Sequence, residues 1–424
     1  MSVVLGVSGA ARSAVAQRVA ILSPVVPAHG RGGVQDLVWS LARGLSARGC
    51  DVELITSAHP AGIGGETLDG VRITYLAVPG RDLALYGLHE PWMRMSRVAV
   101  LEAQLRARLD VIHSQSYCGL HLVSAFPGVP VVATLHGTHW DELRTRARLV
   151  RENAARPLAA LRVAAQWGLM AARLLREGPR LKRCAAVIAT SREQHQLLLR
   201  RYQVATARLH DVWNGIDTAL FAPRSPVLAL RSRLVTGSGP LLLTVARLYQ
   251  EKGIQHALRA LPQVLAALGN ATLVVVGDGP YRATLEALAS SLGIASRVRF
   301  AGAVPLEELP RWYAVADQFL NPTVRINGYD LTILQAMACA KPVVVSDVGS
   351  VPTAVLGGVD GVLVPPGDPA ALAAAVVALH RDPARAAALG AAARRTVAEC
   401  FSLERMVDGT LAVYHAARAG EGAR

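Results

Sequence analysis

The chain has 424 residues, more than one hydrophobic core normally supports, so its length predicts two domains. Hydrophobic residues make up 52% of it and charged residues 18%, which excludes an intrinsically disordered chain. The formal net charge of +14 indicates anionic partners such as nucleotides, nucleic acid or a membrane surface, although arginine on solvated faces explains the same excess equally well.

The five cysteines are isolated, which excludes a disulfide framework or a zinc site and is typical of a reducing cytosol. The N-terminal apolar run is too short for a signal peptide, and no stretch approaches the roughly 18 apolar residues of a membrane-spanning helix. We therefore expect a cytoplasmic protein that attaches at most peripherally to the inner face of the membrane.

Short apolar runs alternate with Ala/Leu/Arg-rich helical segments along the whole chain. Strands are predicted at 18–26, 51–56, 71–78, 110–115, 129–137 and 185–191, and a second series at 241–248, 271–279, 297–302, 317–323, 341–347 and 361–366. Continuous apolar runs favour parallel sheets covered by helices on both faces. The pattern predicts two doubly wound α/β domains, 1–225 and 226–424, with the last helix packing back on the first domain. Their ligand should bind in a cleft at the carboxyl ends of the strands.

The first strand runs into a Gly-rich turn, and a helix begins near Gly33. Backbone N–H groups at such a helix start favour an anion. The turn reads "GRGG" without G-x-G-x-x-G spacing, and no acid ends the next strand, which argues against a dehydrogenase. Further on, the arginine-rich segment 140–183 is either a helix on an anionic membrane or an ordinary surface helix. Near its start, Asp141 and Glu142 either reach an acceptor or are solvated at a helix start.

Two cations follow the first strand of the second series: Arg247 at the strand end and Lys252 before the next helix. Fixed cations at the mouth of a sheet suit a diphosphate, whose leaving charge they would stabilise. The neighbouring strand ends in "VVGDGP", where a base ring could lie against the backbone at Gly277.

The stretch "NGYDLTILQAMA" at 327–338 predicts a turn from Gly328 to Leu331 followed by a helix. Free N–H groups at that helix start would hold phosphate. Gln335, about one turn into the helix, would reach a ribose, and Asn327 would face a sugar. Together these features indicate a sugar nucleotide.

These residues resemble the retaining, GT-B-fold glycosyltransferases of family 4 (glycosyltransferase group 1) over about residues 18–415. The resemblance lies in the order of "GGVQDLVWSLARGLSARGCDVELIT", "VVATLHG", "VWNGIDTALFAP", "VARLYQEKG", "VVGDGP" and "LTILQAMACAKPVVVSDVGSVPTAV". It implies two Rossmann-like domains facing across a cleft. It also implies transfer from a nucleotide-diphospho-sugar, with no cofactor and usually no metal.

The resemblance also implies a role for each matching residue. Gly33 would contact the donor phosphate, and His136 the donor sugar or the reacting centre. Arg247 and Lys252 would bind the diphosphate. The turn that would hold the distal phosphate and sugar comprises Gly328, Tyr329, Asp330, Leu331 and Thr332.

The sequence departs from the family where two glutamates are expected, because Asn327 and Gln335 stand there. The first glutamate normally holds sugar hydroxyls, and the second grips the ribose. Amides keep the hydrogen bonding but lose the charge. Asp330, three residues after Asn327, would supply a carboxylate, although a phosphate would repel it.

We expect a hexosyltransferase of cell-surface polysaccharide or glycolipid synthesis, with a saccharide, a glycolipid or a small metabolite as acceptor. The alternative is a non-catalytic relative that keeps the fold and acts as a binding or scaffold protein. Nucleic-acid binding through the basic surface ranks lowest, because the sequence has no recognised nucleic-acid motif.

Overall fold

A computed structural model describes residues 17–30, 32–79, 89–152, 178–235, 239–326 and 328–422. In these residues, strands and helices alternate and build two sheets, one in each half of the chain. Hydrophobic clusters cover both faces of each sheet, because the strands are apolar on both sides. The predicted fold class, two doubly wound Rossmann-like domains, is confirmed.

The first sheet has eight strands in the order β3-β4-β2-β1-β5-β6-β7-β8. They are β1 (Arg18–Leu22), β2 (Asp51–Thr56), β3 (Gly65–Leu68), β4 (Val71–Tyr75), β5 (Val111–Gln115), β6 (Val131–Leu135), β7 (Ala186–Ala189) and β8 (Leu209–Asp211). The helices of this half are α1 (Gly33–Ala47), α2 (Glu90–Arg106), α3 (His139–Glu152) and α4 (Arg192–Arg200).

The second sheet has six parallel strands in the order β11-β10-β9-β12-β13-β14. They are β9 (Leu241–Val245), β10 (Thr272–Val276), β11 (Val298–Gly302), β12 (Gln318–Asn321), β13 (Val343–Ser346) and β14 (Val362–Val364). The helices are α5 (Leu228–Leu234), α6 (Ile254–Leu268), α7 (Arg282–Ser291), α8 (Leu309–Val315), α9 (Leu331–Ala338), α10 (Val351–Ala354), α11 (Pro369–Arg381), α12 (Pro383–Cys400) and α13 (Leu403–Gly422).

The first sheet differs from the prediction at both edges. Strand β3 pairs antiparallel with β4, and all four of its residues are exposed, so no apolar run marks it. Strand β8 has only three residues and pairs with β7. The first predicted strand, 18–26, is also too long, because β1 ends at Leu22. Hydrophobic periodicity identifies strands that are buried. It therefore did not predict the exposed strand or the three-residue strand at the edges of the sheet.

The last helix, α13, packs against α1 of the first domain. A methyl group at Gly44 of α1 would lie 2.4 Å from Val407 Cγ2. Two turns further along α13, the Tyr414 hydroxyl lies 2.6 Å from Nδ1 of the fully buried His113. The chain therefore crosses back after completing the second sheet and ties the two halves together.

A second set of contacts joins the two domains beside the cleft. The hydroxyls of Ser191 and Ser350 are 2.8 Å apart and buried. Thr353 donates to Glu193 at 2.6 Å and accepts a bond from the Arg192 N–H at 3.0 Å. The loops at the carboxyl ends of the two sheets thus face each other. Among the helices of the described ranges, none is long and apolar enough to cross a bilayer.

Candidate functional site

Lys252 lies in a short turn after β9, immediately before α6, and its side chain is 8% exposed. Gly253 holds this turn against the end of β12. Its φ is +72°, and a methyl group there would lie 1.8 Å from the Pro322 carbonyl oxygen. Val324 reinforces the contact by donating its N–H to the Glu251 carbonyl at 3.0 Å. The buried ammonium is therefore fixed between strands β9 and β12, where the strand order of the sheet reverses.

Arg247 lies in the same loop but is exposed, with its guanidinium carbon 5.3 Å from the Tyr249 ring centroid. The neighbouring turn is held tightly against this loop. Gly277 has φ +128°, and a methyl group there would lie 1.9 Å from the Ala246 carbonyl oxygen. Leu248 donates its N–H to the Asp278 carbonyl at 2.9 Å. The predicted base-binding turn and the predicted cation thus share one rigid edge.

Asp330 pairs with Lys252, which the sequence did not predict. The Asp330 side chain is 11% exposed, and its Oδ1 contacts the Lys252 ammonium and lies 3.8 Å from Nη1 of Arg325. Its Oδ2 accepts a bond from Asn321 at 3.1 Å. Burial raises the pKa of Asp330, but the charges of Lys252 and Arg325 outweigh burial and hold that pKa at about 2. Burial lowers the pKa of Lys252, and the Asp330 charge opposes that effect.

The turn before α9 presents its backbone to the cleft. Asp330 is the N-cap residue of α9, but its side chain bonds to no helix N–H, so it does not compete with an anion for the start of the helix. Tyr329 does not face the cleft through its ring, which packs edge-on against Phe401 in the core. The Thr332 hydroxyl is buried and has no hydrogen-bond partner among the described residues.

The two amides that replace the expected glutamates have different positions. Asn327 lies outside the described residues, so its role remains a prediction. Gln335 is 6% exposed, and its Oε1 accepts a hydrogen bond from the buried Tyr313 hydroxyl at 2.9 Å. The oxygen that was predicted to meet a ribose is thus already bonded within the second domain.

His136 follows β6 and faces the cleft from the first domain. Its Nε2 lies 2.7 Å from Oε1 of Gln115, so Nε2 carries the proton. The other ring nitrogen, Nδ1, is buried and has no partner in the described part of the chain. Burial lowers the pKa of His136 to about 4, so the ring is neutral at neutral pH. A neutral ring with an open nitrogen accepts a hydrogen bond from a hydroxyl.

The two domains meet at these residues. A methyl group at Gly328 would lie 3.2 Å from the His136 carbonyl oxygen, and one at Gly33 would lie 3.7 Å from Leu331 Cδ1. The N-termini of α1 and α9 therefore face each other across the cleft. Ile326 adds a direct bond from its N–H to the Thr145 hydroxyl of α3 at 3.0 Å. One cleft thus brings together most of the predicted residues.

Sequence reasoning missed several polar residues of this cleft. Arg325 lies between Asp330 and the first domain, where its charge lowers the pKa of Asp141 against the larger, raising effect of burial. Gln115 and Asn214 line a small cavity beside His136. The sequence feature that could have identified them is their position at the carboxyl end of a strand, because Gln115 ends β5 and Asn214 follows β8.

The two flanking candidates are now placed as well. His113 bonds to Tyr414 and Thr134 in the core, so it is a structural residue. Asp141 is buried at the start of α3 and accepts a hydrogen bond from Thr138 at 2.8 Å, so it is not a solvated helix start.

Comparison with known proteins agrees with this geometry. The family profile "Glycosyltransferase Family 4" matches residues 31–220, and "Glycosyl transferases group 1" matches residues 239–382. The chain is 31% identical to D-inositol 3-phosphate glycosyltransferase 1 of Catenulispora acidiphila, over 97% of this chain and 98% of that protein.

Two further similarities differ in extent. A GDP-mannose-dependent alpha-(1-6)-phosphatidylinositol monomannoside mannosyltransferase of Mycolicibacterium smegmatis is 38% identical, but only over 45% of this chain and 51% of that protein. Sucrose-phosphate synthase from Thermosynechococcus elongatus has the same fold, with a TM-score of 0.77 and 25% identity over 94% of this chain and 98% of that one. Fold, cleft and sequence agree: the chain belongs to the GT-B glycosyltransferases of family 4, group 1.

Proposed function

We propose that this protein transfers a hexosyl group from a nucleotide-diphospho-sugar to an acceptor hydroxyl with retention at the anomeric carbon. The observation that carries the proposal is the cation-lined edge of the second sheet, where Lys252, Arg325 and the uncapped start of α9 face His136 across the cleft. Such a constellation suits the diphosphate of a donor.

Each residue has a role in this reaction. The bond between the anomeric carbon and the diphosphate breaks while the acceptor oxygen bonds to that carbon from the same face. The acceptor's proton moves to the departing phosphate oxygen. Arg247 and Lys252 stabilise the charge that develops there, and Nδ1 of His136 accepts a bond from a sugar hydroxyl. Asn327, Gly277 and the Gly328–Thr332 turn would position the sugar, the base and the distal phosphate.

The acceptor proposal draws on the relatives' names. One is named for D-inositol 3-phosphate and another for a phosphatidylinositol monomannoside with GDP-mannose as donor. We infer a saccharide, a glycolipid or a phosphorylated small metabolite for this chain, in the synthesis of cell-surface glycans. GDP-mannose is therefore the first donor to test.

We further infer that the protein attaches to the inner face of an anionic membrane. The inference rests on the residues exposed on and beside helix α2. A cavity of about 520 Å³ is lined by four arginines and one acid: Arg94, Arg97, Arg180, Arg183 and Glu90. On the same side of α2, Val98, Leu101 and Leu105 are 50%, 46% and 77% exposed. Apolar residues at helical spacing beside arginines suit anionic headgroups and the acyl boundary. The segment predicted for this role, 140–183, lies mostly outside the described residues.

Co-sedimentation with vesicles tests the attachment. Wild type should pellet with phosphatidylcholine vesicles containing phosphatidylglycerol and stay in solution with phosphatidylcholine alone. Changing Arg94 and Arg97 together to Glu should abolish pelleting, while the same change at Arg385 and Arg395 of α12 should not. Equal loss from both pairs would mean that net charge, not this face, binds the lipid.

The donor proposal is tested by thermal stabilisation with UDP-, GDP- and dTDP-sugars and the bare diphosphates. A ligand at 100 times its dissociation constant stabilises the native state by roughly 2.7 kcal/mol, which shifts the midpoint measurably. With the bound donor, Arg247→Ala should lower turnover, and Arg311→Ala on the outer surface of α8 should not. Unchanged turnover in Arg247→Ala would contradict the proposed role of this cation.

A binding protein without catalysis is the second candidate, and the pairing of Gln335 with Tyr313 is the observation that favours it. It predicts nucleotide binding without product from any donor and no gain of activity in Asn327→Glu. Product formation by the unmodified protein would eliminate this candidate.

A further inference from the structure

The Asp330 carboxylate lies where an anionic ligand of Lys252 would lie. It contacts the ammonium, lies 3.8 Å from Arg325, and accepts a bond from Asn321, which is 3% exposed. All three partners are donors held by the ends of neighbouring strands or the loops that follow them. In the free protein, the carboxylate therefore occupies Lys252, which the proposed function assigns to a donor phosphate, together with the neighbouring Arg325.

The position of Asp330 in α9 strengthens this interpretation. Aspartate is among the best N-cap residues, because its oxygen accepts bonds from the second or third helix N–H. Asp330 has the extended N-cap backbone, with φ −78° and ψ 125°, yet its side chain caps no N–H. The carboxylate turns to the cations instead, since charge-assisted bonds are about twice as strong as neutral ones.

We propose that Asp330 determines which anions the donor site admits, because a terminal donor phosphate must displace its carboxylate from Lys252 and Arg325 before it can bind. This inference rests on the proposed function. Two cations and one carboxylate leave the cluster with a single positive charge, and at neutral pH a nucleoside diphosphate carries more negative charge than the matching monophosphate. The carboxylate therefore penalises a diphosphate more than a monophosphate.

Isothermal titration tests the proposal with UDP, GDP, UMP and GMP as the probes. In Asp330→Asn, the amide keeps the size of the side chain and its bond to Lys252 but removes the charge. We expect it to bind the diphosphate that wild type prefers at least tenfold more tightly, with a smaller gain for the matching monophosphate. Asp330→Ser is the second variant, and circular dichroism checks that each is folded.

The matched control is Asp317→Asn. Asp317 also pairs with an arginine, Arg231, at 2.8 Å, but at the opposite end of β12. Its change should leave nucleotide affinity unaltered. Equal or weaker diphosphate binding by the Asp330 variants would overturn the proposal and make Asp330 a residue that only positions Lys252.

The unmodified protein provides an independent check. If a phosphate replaces the carboxylate, one ion pair is exchanged for another, so diphosphate affinity should exceed monophosphate affinity by less than tenfold. A ratio of tenfold or more would overturn the inference without any variant. If neither wild type nor the variants bind any nucleotide, the proposed function itself fails, and this inference fails with it. Binding by wild type without a gain in the variants defeats only the role of Asp330.

Discussion

His136 is neutral and buried, and one of its ring nitrogens has no hydrogen-bond partner among the described residues. A neutral ring at this position is neither a general acid nor a cation. In the proposed reaction, its contribution is the hydrogen bond that Nδ1 would accept from a sugar hydroxyl. The sequence indicated its position at a strand end, but the tautomer follows from Gln115, a partner 21 residues away.

His136→Ala should lower kcat/KM about tenfold to a hundredfold, since one hydrogen bond to the sugar is lost near the reacting centre. His256→Gln is the matched control. His256 is also a buried histidine whose Nδ1 has no partner among the described residues, and burial lowers its pKa to about 4, but it lies in α6. Steady-state kinetics of both variants decides the point, because equal losses would indicate a stability effect.

At the scale of elements, helix α6 is bounded by two glycines with the same positive φ, whose ψ is 11° at Gly253 and −31° at Gly269. Gly253 before it and Gly269 after it both have φ +72°. They differ in surroundings, because the Pro322 carbonyl faces Gly253, whereas no atom of the described residues lies within 4 Å of a methyl group at Gly269. Substitutions at the two glycines therefore separate the cost of a positive φ from the cost of the close contact with Pro322.

Gly269→Ala should cost about 1 kcal/mol of unfolding free energy, from the positive φ alone. Gly253→Ala should cost about 3 kcal/mol or more, because the end of β12 must also move. The variant should also bind nucleotide more weakly, since Lys252 is the preceding residue. Urea denaturation measures the difference, and similar losses in both variants would refute the close-approach argument.

At the scale of the whole molecule, buried histidines make stability depend on pH. Burial lowers the pKa of His113 to about 3 and that of three others to about 4: His121, His136 and His256. The unfolded chain binds protons below about pH 6.5, while the folded chain does not. The stabilisation is therefore complete above that pH and is lost as the pH falls towards 4.

We expect the free energy of unfolding to fall between pH 6.5 and 4.5, by up to about 1.4 kcal/mol per pH unit for each histidine. Asp141 and Asp360, whose pKa values burial raises, oppose the trend but are fewer. Asp330 contributes only below about pH 4, because its pKa is lowered. Urea unfolding across this range tests the slope. His113→Gln should flatten it, and a constant free energy in wild type would contradict the account.

The sequence pattern predicted part of the fold and of the site, and the rest depends on contacts between distant parts of the chain. Apolar runs predicted the buried strands because hydrophobicity is a local property, but the exposed β3 and the three-residue β8 left no such signal. Lys252 and Gly328 could be assigned from loops at strand ends. Arg325 could not, because its importance depends on Asp330 and the opposite domain.

The sequence by itself determined the two sheets, the family, and the loops that carry the proposed anion-binding groups, since these follow from periodicity, motif order and local turn chemistry. Only the tertiary structure decided that Asp330 pairs with Lys252, 78 positions away in the chain. It also decided that Gln335 bonds to Tyr313 and that α13 returns to α1. Charges, hydrogen bonds and packing act through distance in space, and distance along the chain does not encode it.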